Sequence, residues 1–182
     1  WIAKSGNYIY IASDTSDGLT IIDVTNPAIP SYVGKYRVNN WNLNGARDVK
    51  VVWNYAYVAN YDRDSLAVID VSNPTNPTFV TELRQTAILN GAHNVEISWN
   101  YAYVSAYLNA SVMVIDISNP LALTEVTNIT GWNYLLNGAR DLLVDGKYLF
   151  MTGLGNDAIN IADISNPATP VYVNRVVHNA AN

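Results

Sequence analysis

The chain has 182 residues, 49% of them hydrophobic and only 14% charged, with a net charge of -5. Ten scattered Lys and Arg cannot neutralise a run of phosphates or hold an anionic membrane surface, which argues against nucleic-acid and polybasic membrane partners. The absence of Cys removes disulfides, thiolate catalysis and most zinc sites.

In chain order, the first residues are Trp1 and Ile2, with no charged-then-apolar leader. A start at Trp1 rather than Met fits a processed mature protein or a truncated one. Trp1-Ile-Ala-Lys4 reads as an opening strand, and Leu19-Thr-Ile-Ile-Asp-Val-Thr-Asn-Pro27 follows it. The latter recurs as residues 66–74, 112–120 and 159–167, placing Asp23, Asp70, Asp116 and Asp163 at intervals of 47, 46 and 47 residues. A period of that size belongs to architectures in which one supersecondary unit is repeated.

The second unit shows the internal pattern. Strands are expected at 48–52, 54–60, 66–71 and 78–83, broken by Trp53-Asn54, by the polar loop 61–65 and by the Pro-containing turn 72–77. Alternation along the second strand puts Tyr55, Tyr57 and Ala59 on one face and Ala56 and Val58 on the other. The same split recurs in Tyr8/Tyr10 against Ile9/Ile11, Tyr101/Tyr103 against Ala102/Val104, and Tyr148/Phe150 against Leu149/Met151. A sheet apolar on both faces must be covered on both, so each aromatic face is expected to stack on the smaller-residue face of its neighbour. Radial stacking of this kind makes a β-propeller. The expected fold is therefore all-β: one four-bladed propeller over residues 1–182, each blade a four-stranded antiparallel sheet, with blades near 1–47, 48–93, 94–140 and 141–182.

The order Gly-Ala-Arg-Asp-Val, then Asn-Tyr-Ala-Tyr-Val, then Val-Ile-Asp-Val-Ser-Asn-Pro resembles the LVIVD repeat family of bacterial and archaeal β-propellers, most clearly over Asn44 to Pro74 and Asn90 to Pro120. The resemblance spans all four units. It implies a surface or secreted protein and assigns no activity.

Three units end in Asn-Gly-Ala followed by Arg47, His93 or Arg140, whereas the last ends in Asn179-Ala-Ala-Asn182. The tail thus supplies what the first unit lacks, and Trp1 and Ile2 are expected to meet Asn179 and Asn182, within one molecule or between molecules. The candidate chemistry sits at the strand entries. Arg47-Asp48 and Arg140-Asp141 are charged pairs that His93-Asn94 replaces at both positions together, which suggests that the paired positions interact. They form either an interblade network or an anion site at the channel mouth. The four repeated Asp precede Ser/Thr by two residues and read as turn-fixing side chains. The carboxylates of 60–64 and 14–18 lack the downstream bidentate Glu of a calcium loop and read as solvated loop, so no metal or cofactor is expected. Trp41 and Trp132 are candidate surface contacts, and Asn109 and Asn128 head glycosylation sequons. No catalytic set is evident. The leading expectation is a non-enzymatic extracellular or cell-surface propeller that self-associates head to tail or contacts other surface proteins, as in a filament. A propeller binding an anion or carbohydrate is the alternative, and a propeller hydrolase the third.

Overall fold

The computed structural model describes residues 1–37, 42–131 and 134–178. Trp41, Trp132, Asn179 and Asn182 lie outside the described residues, and with them the expected meeting of the two ends.

The described residues build four antiparallel sheets in strict chain order. The first holds β1 (Ile2–Ser5), β2 (Tyr8–Ser13), β3 (Gly18–Asp23) and β4 (Ser31–Tyr36). The second holds β5 (Ala46–Val52), β6 (Tyr55–Asn60), β7 (Ser65–Asp70) and β8 (Thr78–Arg84). The third holds β9 (Ala92–Ser98), β10 (Tyr101–Ala106), β11 (Ser111–Asp116) and β12 (Thr124–Ile129). The fourth holds β13 (Ala139–Asp145), β14 (Tyr148–Gly153), β15 (Ala158–Asp163) and β16 (Val171–Val177). The strands β1, β5, β9 and β13 touch one another in succession and form the inner wall, as propeller blades require.

Stacking follows the two-faced pattern of the second strands. Tyr10, Ala12, Leu19 and Ile21 of the first blade pack on Ala56, Val58, Ala67 and Ile69 of the second. Tyr57, Leu66 and Val68 then pack on Ala102, Val104, Met113 and Ile115, and Tyr103, Val112 and Val114 on Leu149, Met151 and Ala162. No comparable core joins the fourth blade to the first among the described residues, so the blades form an open arc. The uncovered faces show it at equivalent positions: Val112 is 0% exposed inside a junction, and Ile159, one repeat later, is 48% exposed.

The repeated aspartates fix the turns after the third strands. Asp23, Asp70, Asp116 and Asp163 each accept the backbone N–H two residues on, from Thr25, Ser72, Ser118 and Ser165, at 2.7–2.8 Å. Adjacent blades are latched by other aspartates: Asp17 accepts from the N–H of Gly45 and Asp64 from that of Gly91, each at 3.0 Å. Gly45 and Gly91 adopt φ of +69° and +70°, which explains the glycine of the Asn-Gly-Ala entry.

Candidate functional site

The site grows out of an irregularity that the repeat places at the start of every inner strand after the first. In β5 the pairing jumps from Ala46–Asn60 to Asp48–Ala59, leaving Arg47 as the extra residue of a β-bulge. The same shift falls at His93-Asn94 in β9 and at Arg140-Asp141 in β13. Hydroxyls of the neighbouring strands cap the bulges, Ser105 accepting the N–H of Asn94 at 3.0 Å and Thr152 that of Asp141 at 2.9 Å. A bulge bends the strand and re-aims a side chain.

The result separates the two members of each motif. Asp48 and Asn94 point between blades, where the Asn94 amide donates to Asp48 Oδ2 at 2.7 Å and Asn94 Oδ1 accepts the N–H of Leu142 at 3.0 Å. Asp48 Oδ2 also accepts from the N–H of Val95 at 3.1 Å. Burial holds the Asp48 carboxyl above its ordinary pKa despite these donors. Asp141 would continue the relay and is exposed at the open end of the arc. Arg47, His93 and Arg140 instead line one cavity of about 240 Å³ at the channel mouth, together with Tyr61 and Tyr107. The joint replacement at His93-Asn94 therefore reflects two separate ladders, one between blades and one at the mouth. Arg47 does not pair with Asp48 but with Asp14, at 3.2 Å.

The mouth is cationic and aromatic. The Arg47 guanidinium lies 4.5 Å from the Tyr61 ring centre and 5.7 Å from that of Trp1. His93 is 3% exposed and meets Trp1 edge-on at 5.6 Å, with Tyr61 and Tyr107 within 6.3 Å. Burial first, then the positive charges of Arg140 and Arg47, push its pKa down to about 4, so the imidazole is neutral at pH 7. Its Nδ1 and the Nε of Arg47 are buried and lack hydrogen-bond partners among the described residues. No acidic side chain lies within ion-pair reach of Arg140 among the described residues.

Tyr61 and Tyr107 were not singled out by sequence reasoning, although they occupy one repeat position, shared with Asp14 and Leu154. Of the predicted end residues, Trp1 reaches the mouth, while Ile2 pairs with Ile11 at the open side of the first sheet. The Asn109 amide donates to the carbonyl of Ala87 and the Asn128 amide to Glu125 Oε1 at 2.9 Å, so both sequon nitrogens are engaged. Groups of His, Cys, Asp and Glu that could hold a metal ion are absent among the described residues.

An arc of four-stranded blades around an inner wall, carrying a cationic mouth, defines a β-propeller. Its repeats place it further: the LVIVD repeat model matches residues 2–38, 45–84, 91–130 and 138–177, and the chain belongs to the LVIVD repeat family. No curated protein matches it. Among solved structures it is similar to a protein from Lactobacillus plantarum (TM-score 0.81, 17% identity, covering 100% of this chain and 56% of that one). It is also similar to the periplasmic gluconolactonase of Pseudomonas aeruginosa (TM-score 0.70, 14% identity, 94% and 54%). A third is Kuenenia stuttgartiensis hydrazine synthase (TM-score 0.69, 20% identity, 95% and 48%). The chain spans about half the length of these structures, and the likeness is one of fold.

Proposed function

We propose that this propeller is a non-catalytic binding module, used outside the cell, whose channel mouth holds a small anion such as a carboxylate or inorganic phosphate. One observation carries the reading: Arg47 and Arg140 line one cavity, and among the described residues the only carboxylate at ion-pair distance from Arg47 is Asp14, while Arg140 has none. An anion there satisfies charge that the protein leaves uncompensated, through charge-assisted hydrogen bonds. Among the described residues the cavity lining of Arg, Tyr and His includes no Ser, Thr or carboxylate, and a histidine of pKa about 4 is a poor base at neutral pH. This supports binding rather than turnover. An extracellular setting is supported by the low-Lys composition rich in Asn and Tyr, and recovery of the protein in the culture medium tests it. Calorimetric titration with acetate and with inorganic phosphate tests the site. Arg140→Ala is expected to weaken binding roughly tenfold, about 1.4 kcal/mol. No heat from either anion at millimolar concentration would overturn the reading.

A second reading, a structural role through self-association, is favoured by the uncovered faces. The fourth blade exposes an aromatic-type face with Phe150, Ile159 and Ile161, and the first exposes the smaller-residue type with Ile9, Ile11 and Ile22. These are the two halves of an internal junction, so a second copy fits head to tail. Light scattering across a concentration series tests this, and a constant monomer mass contradicts it.

A further inference from the structure

At the end of the blades where each first strand turns into the second, every blade makes a two-residue hairpin: Gly6-Asn7, Trp53-Asn54, Trp99-Asn100 and Gly146-Lys147. The first residue of each is in the left-handed region, with φ of +54°, +51°, +54° and +57° in order. Glycine adopts this conformation without steric cost, and a large side chain does so under strain. Two adjacent blades nevertheless carry tryptophan there, and neither indole packs into the fold: Trp53 is 69% exposed and Trp99 90%. Strain and exposed apolar area both count against these residues as structural choices.

Trp99 also borders a groove of about 450 Å³ between the third and fourth blades, walled by Ser98, Tyr101, Lys147, Ser165 and Pro167. That volume is within the range of small-molecule sites. The Lys147 ammonium is already paired with Asp163 at 2.8 Å, so the groove offers hydrogen-bonding groups without net charge. Aromatic faces beside the hydroxyls of Ser98, Tyr101 and Ser165 match the amphipathic surface of a sugar ring, whose C–H face stacks while its hydroxyls hydrogen-bond. A bilayer surface is a poorer match, because the flanking turn residues are Asn54 and Asn100 rather than apolar or basic ones. We propose that Trp99, with its groove and with Trp53 one blade away, is a binding platform for a neutral oligosaccharide, separate from the channel mouth.

The test titrates the full chain with cellohexaose, mannohexaose and hexa-N-acetylchitohexaose, and with phosphatidylcholine vesicles, following tryptophan fluorescence and checking by calorimetry. At least one oligosaccharide is expected to bind the parent chain, Trp99→Gly to weaken it about tenfold or more, and Trp53→Gly to weaken binding of the same hexasaccharide by a smaller factor. Because glycine suits the turn, Trp99→Gly is also expected to melt at the same temperature as the parent or higher. The inference is overturned if none of the three oligosaccharides binds, if Trp99→Gly binds equally well, if Trp99→Gly melts lower, or if only vesicles respond to the substitution. Anion binding at the mouth is measured on the same samples, and its success or failure is independent of these outcomes.

Discussion

The interblade relay through Asn94 makes a prediction that can be worked through to a magnitude. In Asn94→Asp the side chain keeps its shape, and the bond from the Leu142 N–H at 3.0 Å survives. The amide nitrogen that donates to Asp48 Oδ2 at 2.7 Å is replaced by an oxygen. Two carboxylates at that distance, on residues 4% and 9% exposed, cannot both be ionised, so the folded protein must keep one proton between them. In the unfolded chain both titrate near 4. Holding a proton at pH 7 therefore costs about 1.36 kcal/mol for each of roughly three pH units, or about 4 kcal/mol. The sign follows from proton counting: the folded variant binds more protons than the unfolded one above pH 4, so it loses stability as pH rises and regains it as pH falls. Urea unfolding at pH 4, 5.5 and 7 should show the penalty relative to the parent chain shrinking from about 4 to below about 1 kcal/mol as the pH is lowered. An equal penalty at pH 4 and pH 7 would refute the relay, as would no penalty at pH 7.

Two glycines of the fourth blade should respond very differently to alanine. At Gly153 an added Cβ would lie 1.8 Å from the Leu135 carbonyl oxygen, so Gly153→Ala is expected to destabilise by roughly 3 kcal/mol or more, measured by urea unfolding. At Gly146 nothing lies within 4 Å and only the φ of +57° opposes a side chain, so Gly146→Ala should cost about 1 kcal/mol in the same assay.

Much of the fold was legible because the repeat states the pattern four times. The two-faced second strands specify which blade face stacks on which, and Tyr57 and Tyr103 bury completely where that pattern places them. The Asp at the end of each third strand was legible as a turn former from its spacing to Ser or Thr, and the Thr25, Ser72, Ser118 and Ser165 N–H groups bear it out. The inner strand β5 begins at Ala46, two residues before the expected start, because a bulge lets pairing resume beyond Arg47. Bulges leave little trace in an apolar/polar pattern, and this one hides how the entry motif divides. Reading Arg47-Asp48 as one unit missed that a bulge turns its two side chains to different neighbours. Trp53 was legible as a turn residue from the break at Trp53-Asn54, but Trp99 was not singled out and the backbone strain at both was hidden, since only the geometry shows that glycine suits the position. The open arc was also hidden, because a repeat defines the junction between units and not how many units complete a ring.

The central claim is that the mouth formed by Arg47, His93 and Arg140 holds an anion, and the His93 imidazole reports on it from inside. Its nitrogen NMR shifts, followed against pH with and without inorganic phosphate, make the most direct test. The predicted result is an imidazole that stays neutral down to about pH 4 in the free protein, and whose pKa rises saturably with phosphate as the anion offsets the two guanidiniums. In Arg140→Ala the phosphate response should be largely lost. An imidazole that titrates near the ordinary 6.5 and is indifferent to phosphate would contradict the account.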